Sequence, residues 1–258
     1  MGERVLVTGS AGRVGRATVK TLVAAGHEVI GFDLRTTPGL SANNSVVGSL
    51  EDFGLLKQVA ESVRCIVHLA ATPDDSSFPR LPDTDDNFES ELVPNNIVGP
   101  YRVMEAARQN RVPRVILAST GQVIDGHLRD GRIPVTTDLL PRPRYLYACT
   151  KVFLESLGQV YARQHGITTL SVRLGWCPRD IGQVNEICKS ELAQDVYLSP
   201  GDAGQFFAAA VSAPILPQNA VVYVTSRHLH QLRYDLSETT RLTGWAPSES
   251  WDAGATDW

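Results

Sequence analysis

The stretch VTGSAGRVG, residues 7–15, decides the fold. It sets Gly9, Gly12 and Gly15 three apart, after the apolar run RVLVTG (4–9) and at the start of a helix-periodic segment (10–27). Gly9 permits a tight turn, Gly12 lets a pyrophosphate approach the backbone, and Gly15 lets helix and strand pack closely. The helix N-terminus adds free N–H groups and the positive end of a dipole. A glycine triplet alone is weak evidence. Here it follows a strand, opens a helix and is succeeded by EVIGFD (28–33), which ends in an acid. Strand, helix and strand in this order make a parallel βαβ unit with a right-handed crossover. Asp33 is placed to accept hydrogen bonds from a ribose diol and to repel a 2′-phosphate, which favours NAD over NADP. Arg13 and Arg35 pull the other way, since either is near enough to reach such a phosphate.

The alternation continues outward. LEDFGLLKQVAES (50–62), YRVMEAARQN (101–110) and YACTKVFLESLGQVYARQHG (147–166) read as helices, while RCIVHLAA (64–71), PRVILAST (113–120) and ITTLSVRLG (167–175) read as buried strands. A helix over 202–213, a strand at 220–225 and a helix near 235–244 follow. Near-continuous apolar strands alternating with amphipathic helices specify an α/β fold with a doubly wound parallel sheet. In the first helix Val14, Ala17, Leu22 and Ala25 share a face, and Gly26 is its C-terminal stop. Residues 72–91, 125–144 and 176–198 read as loops beyond strand C-termini, the edge at which ligands bind in such sheets.

Composition narrows the function. The chain has 258 residues, 43% hydrophobic and 20% charged, with a formal net charge of −4. That suits one large core and argues against a basic surface for nucleic acid or anionic membrane. No apolar run reaches membrane-spanning length, and the first strand begins almost at Met1, so the expected compartment is the cytoplasm. Cys65, Cys149, Cys177 and Cys188 form no C-x-x-C pair, and His228 and His230 lack acidic or thiol partners, so no metal site is expected.

The chemistry-bearing stretch is YLYACTK (145–151). Tyr147 and Lys151 are i and i+4 and share a helical face, whereas Tyr145 falls on another. An ammonium beside a phenol favours the phenolate, so Tyr147 is placed to exchange a proton with a substrate hydroxyl. Ser119 and Thr120, ending a strand, are placed to hold the substrate oxygen.

TGSAGRVG, HLAA (68–71), NNIVG (95–99), LASTGQV (117–123) and YACTK together resemble the extended short-chain dehydrogenase/reductase group, the NAD-dependent epimerase/dehydratase family. The resemblance implies a Rossmann fold in a single domain over 1–258, with 1–172 mainly dinucleotide-binding and 173–258 a small C-terminal substrate-binding lobe. It implies a catalytic set of Thr120, Tyr147 and Lys151, with Ser119 as the alternative to Thr120. It implies cofactor contacts at Gly9, Ala11, Gly12, Arg13, Val14, Gly15, Asp33, Leu34, Arg35, Ser49, Leu50, Leu69, Ala70, Ala71, Asn96, Ser119, Tyr147, Lys151, Leu174 and Cys177. Ser49 stands where the family carries an acid against adenine.

Among members, uronate dehydrogenases are the most similar, through VRLGWCPR (172–179), GDAGQFFAAAVSAP (201–214) and LTGWAPS (242–248). Substrate contacts then fall at Pro73, Thr120, Gly121, Gln122, Trp176 and Arg179. Pro73 and Trp176 replace serines of that group, and Arg179 is the nearest counterpart of its carboxylate-binding arginine. Asp74, Asp75, Asp83, Asp85 and Asp86 make the 72–91 segment strongly acidic, which disfavours an anionic substrate if they line the pocket. The expected activity is NAD-dependent dehydrogenation of a sugar or sugar-acid hydroxyl by a homodimer joined through helices near 96–110 and 147–164. The alternatives are a nucleotide-sugar epimerase or dehydratase and a non-catalytic NAD(P)-binding sensor.

Overall fold

Among residues 2–73 and 87–252, which the computed structural model describes, seven strands form one sheet. They are β1 (Arg4–Thr8), β2 (Glu28–Asp33), β3 (Ser45–Val47), β4 (Cys65–His68), β5 (Arg114–Thr120), β6 (Thr168–Leu174) and β7 (Asn219–Val224). Their order is β3-β2-β1-β4-β5-β6-β7, every neighbouring pair is parallel, and the order reverses between β1 and β4. This is the expected doubly wound Rossmann sheet. Sequence reading missed β3 because three half-exposed edge residues carry too little pattern to read.

Among the described residues nine α-helices accompany these strands: α1 (Arg13–Ala24), α2 (Phe53–Val59), α3 (Gly99–Gln109), α4 (Asp125–Arg129), α5 (Leu146–His165), α6 (Ile181–Cys188), α7 (Glu191–Asp195), α8 (Pro200–Ser212) and α9 (Ser237–Thr243). A π-helical run over Phe88–Leu92 and Pro94–Val98 leads into α3. No helix among the described residues is long and apolar enough to cross a membrane. The five aspartates of the 72–91 segment lie outside the described residues.

Strand alternation divides the core. Val5, Val7, Val172 and Val222 point to one face, under Leu22 of α1 and Phe206 and Phe207 of α8. Leu6, Ile66 and Leu117 point to the other, under Met104 of α3 and Leu154 of α5. The chain after 173 serves both sandwich and site. Helix α8 and strand β7 complete the sandwich, while residues of α6 and α7 wall a cavity at the strand C-termini.

The buried face of α1 differs from the expected one. It comprises Gly15, Thr18, Val19 and Leu22, while Val14 and Ala17 are half-buried and Ala25 is exposed. Close contact at Gly15 turns the helix, since a Cβ there would come 2.8 Å from the Ser10 Cα. The other flank of α1 meets α8 at Gly204, where a Cβ would lie 2.7 Å from both the Ala17 carbonyl oxygen and the Thr21 Oγ1. Gly26 does stop the helix, with φ +84° and its N–H bonded to the Val23 carbonyl.

The α1–α8 contact therefore has no room for a methyl group. Gly204→Ala is expected to destabilise the fold by about 1–3 kcal/mol, the usual range for overpacking. Urea unfolding curves check this, and an unchanged midpoint would refute the close contact.

Candidate active site

The turn expected to bind phosphate is built as its sequence requires. Gly9 has φ +71°, and a Cβ on it would lie 2.5 Å from the Ala70 nitrogen, so only glycine lets the backbone after β4 pass there. Helix α1 begins at Gly12 with no side-chain cap and no acid in its first turn. Its N-terminal N–H groups and dipole thus meet no acid from the helix's own first turn. This uncapped cradle fits a dinucleotide pyrophosphate.

Asp33 ends β2 beside that cradle, and its two oxygens accept from the Ala11 N–H (3.0 Å) and the Arg35 N–H (3.1 Å). Each oxygen keeps a second lone pair for a ribose hydroxyl. The Leu34 and Arg35 side chains are exposed. Arg13 bonds the Cys177 thiol on the opposite side of the sheet's switch point, and burial, opposed by that arginine, pushes the thiol up to about 11. Ser49 is half-buried and accepts the Glu51 N–H, and Leu50 is buried. Leu69, Ala70 and Ala71 follow β4, and Asn96 fastens the next residue. Its amide accepts the Thr72 N–H and donates to the Thr72 carbonyl, both at 2.8 Å.

Beyond β5 and β6 lies a cavity of about 570 Å³. All six expected substrate residues line it: Pro73, Thr120, Gly121, Gln122, Trp176 and Arg179. Ser119, Tyr145, Tyr147, Leu174 and Cys177 join them. Val14 and Lys151 lie outside that lining. Tyr145 occupies the N-cap position of α5, so it does lie at the helix mouth, as its different face implies.

Helix α5 presents Tyr147, Lys151 and Glu155 in successive turns. Lys151 is buried, donates to the Ala118 carbonyl (2.9 Å), and its Nζ lies 5.5 Å from the centre of the Tyr147 ring. Glu155 accepts the Ser119 hydroxyl (2.6 Å) and both arms of the Arg173 fork (2.9 Å each). The Ser119 proton is therefore committed. Thr120 Oγ1 accepts only a long bond from the Gln122 N–H (3.3 Å) and keeps its own O–H to donate.

The residue pattern over 5–176 matches that of the NAD dependent epimerase/dehydratase family. The chain belongs to that family. It is similar to an L-arabinose 1-dehydrogenase (NAD(P)(+)) of Haloferax volcanii, at 34% identity over 96% of this chain and 97% of that protein. Among solved structures it resembles glucuronic acid dehydrogenase from Chromohalobacter salexigens, with TM-score 0.75 and 29% identity over 97% of this chain and 86% of the other. A uronate dehydrogenase from Agrobacterium tumefaciens, solved as a point mutant complexed with NAD, is similar at TM-score 0.74 and 25% identity, covering 96% and 86% of the two chains.

This family member carries site residues that its motifs alone do not reveal. Glu155 was missed although it extends the i, i+4 spacing of Tyr147 and Lys151 by one more turn. Gln183 and Glu186 sit on α6, within the stretch read as a loop. The signal was Asp180, three residues before Gln183: the Asp180 carboxylate caps α6 by accepting the Gln183 N–H. Asp125 and Arg129 reach the cavity from α4, in the other stretch read as a loop, and Tyr234 comes from the far C-terminal part. Tyr234 approaches so closely that a Cβ at Gly121 would collide with its hydroxyl.

Burial pushes the Lys151 ammonium down from 10.5 to about 8. Because the folded value is depressed, the unfolded chain holds the extra proton between these pH values. The resulting destabilisation is full below pH 8 and fades as the pH rises toward 10.5. Any melting-temperature difference of Lys151→Met over wild type should therefore shift in favour of wild type between pH 7.5 and pH 10, roughly the window these values bound. Thermal melts across that range check it, and a pH-independent difference would contradict the buried charge.

Proposed function

We propose that this protein is an NAD-dependent dehydrogenase that oxidises a hydroxyl group of a free sugar or sugar acid. The observation that carries the reading is the meeting of Thr120 and Tyr147 in one cavity with Lys151 buried beside the Tyr147 ring. The sugar-dehydrogenase names of the relatives support it. Bound NAD supplies the hydride acceptor. The Gly9–Gly15 turn and the first N–H groups of α1 hold the pyrophosphate, with Ala11, Arg13 and Val14 beside it. Asp33 takes the adenosine ribose, and Leu34, Arg35, Ser49 and Leu50 border the adenine end. Leu69–Ala71, Asn96, Leu174 and Cys177 border the nicotinamide half.

The protein's own chemistry is proton handling. Thr120 Oγ1 holds the reacting oxygen, and Tyr147, as phenolate, takes its proton as the C–H bond breaks. Lys151 keeps a positive charge near the ring and so favours that phenolate. Ser119 serves structure, because Glu155 already holds its hydroxyl. Pro73, Gly121, Gln122, Trp176 and Arg179 shape the substrate end. The domain then works as 1–172 for the dinucleotide and 173–258 for the substrate, with α8 and β7 of the latter built into the sandwich. A homodimer through α3 and α5 suits the exposure of Tyr101, Phe153 and Val160 on those helices. A cytoplasmic location suits the free thiols of Cys65, Cys149, Cys177 and Cys188.

The test is stoichiometric NADH formation on adding free sugars, followed by cofactor absorbance. An isomerised product with no net NADH would overturn the dehydrogenase reading in favour of an epimerase. Tyr147→Phe is expected to lower kcat by about 10²–10⁴-fold, the span of general acid–base catalysis, while NAD affinity holds. Undiminished turnover would remove Tyr147 from the mechanism. Asp33→Ala should raise kcat/KM with NADP relative to NAD, and a wild type that already prefers NADP would contradict the role given to Asp33.

A further inference from the structure

Two tyrosines stack at the cavity wall, and only Tyr223 finds a partner for its hydroxyl among the described residues. Tyr223 of β7 and Tyr234 lie with ring centres 4.8 Å apart and planes 4° from parallel. The Tyr223 hydroxyl accepts from Arg173 Nη1 (2.9 Å) and donates to the Thr136 carbonyl (3.3 Å), while its backbone carbonyl accepts the Thr239 hydroxyl (2.6 Å). That ring is fixed, and it gives Tyr234 a fixed surface to lie on. The backbone around Tyr234 is clamped as well. The Arg233 carbonyl accepts the Val135 N–H (2.8 Å), and the Val135 carbonyl accepts the Asp235 N–H (3.0 Å).

The Tyr234 hydroxyl is placed but not bonded. Tyr234 is 5% exposed and lines the cavity, and its hydroxyl has no hydrogen-bond partner among the described residues. The oxygen is not sealed under other atoms, so it opens into that cavity. Gly121 fixes where. A Cβ on that glycine would collide with the Tyr234 oxygen and come 2.9 Å from the ring carbon that bears it. Gly121 lines the same cavity and directly follows Thr120, to which the reacting oxygen is assigned. Burial pushes the Tyr234 phenol above its usual range, so it keeps its proton and can both donate and accept. A buried tyrosine hydroxyl ordinarily has a partner, and one held rigid without a partner is preorganised for a ligand atom.

We propose that Tyr234 is a substrate-binding residue, whose hydroxyl forms a hydrogen bond with an oxygen of the sugar other than the one that Thr120 holds. This rests on the dehydrogenase reading above. The C-terminal segment then adds a polar contact to the wall that α6 and α7 supply. Because ring and backbone are already fixed, making the bond orders nothing further in the protein. The stacked pair divides the work: the Tyr223 hydroxyl serves the fold and the Tyr234 hydroxyl serves the ligand.

The experiment compares Tyr234→Phe and Tyr223→Phe with wild type. It measures NADH formation from L-arabinose, D-glucose and D-galacturonate, the NAD dissociation constant and the melting temperature. With whichever sugar wild type oxidises fastest, Tyr234→Phe should lower kcat/KM by about 3–10-fold, the worth of one neutral hydrogen bond. Its NAD affinity should hold, and its melting temperature should stay level or rise, because no hydrogen bond within the protein is lost. Tyr223→Phe should instead lower the melting temperature, since Arg173 loses a buried acceptor. An unchanged kcat/KM for Tyr234→Phe overturns the proposal and leaves the dehydrogenase intact. So does a melting temperature that falls as far as in Tyr223→Phe, which makes the hydroxyl structural, or a weakened NAD affinity, which gives it to the cofactor. A wild type that forms NADH from no free sugar brings down the dehydrogenase reading, and this proposal with it.

Discussion

The buried pair of Glu155 and Arg173 is the contact on which the site depends. The two side chains are 9% and 3% exposed and meet through two bonds of 2.9 Å. A charge so deep is tolerated only when its partner and remaining bonds are in place, and removing one partner typically costs about 3–5 kcal/mol. Here the remaining bonds reach in every useful direction. Glu155 holds Ser119 on β5, and Arg173 donates from β6 to the Tyr223 hydroxyl on β7 (2.9 Å). Tyr223 stacks on Tyr234, which lines the cavity. One helix face is thereby fastened to three strands and to the far wall. Since Lys151 and Tyr147 lie one and two turns earlier on α5, their positions against Thr120 follow from this anchor.

A parallel sheet imposes the second constraint. Every strand ends on the same edge, so the polar residues that finish the strands collect there while their interiors stay apolar. Thr8, Asp33, His68 and Thr120 are all last residues of their strands. His68 shows the consequence of collecting polar groups in a buried place. It bonds Thr8 Oγ1 at 2.7 Å, and burial, helped by the nearby Lys151 charge, pushes it down to about 3. It is a neutral ring under the site, which lets the only ammonium in that layer of described residues belong to Lys151. Stability is given up at Lys151 to keep a buried cation beside the Tyr147 ring, a trade common at functional sites.

How much of this was legible depended on whether chemistry and structure shared a local signal. The glycine turn, Asp33 and the Tyr147–Lys151 pair were readable because each is defined by spacing within one turn or one element. Five of the seven strands were readable to within a residue or two, because buried parallel strands are continuous apolar runs of four or more residues. The exceptions were β3, at three residues, and the end of β4, which stops at His68 although the apolar run continues to Ala71. Helices α4, α6 and α7 escaped because each is short; Asp180 and Ser190 cap the starts of α6 and α7, while α4 has no side-chain cap to mark it.

The sequence by itself determined the parallel sheet, the glycine turn that opens α1 and which tyrosine shares a face with the lysine. These depend on local periods and on glycine positions that admit few backbones. Only the tertiary structure decided that Glu155 takes the Ser119 proton, that Arg13 turns to Cys177, and that Gln183 locks Trp176 against the cavity. Those choices join residues far apart in the chain, through hydrogen bonds whose partners are selected by packing, and no local pattern records them.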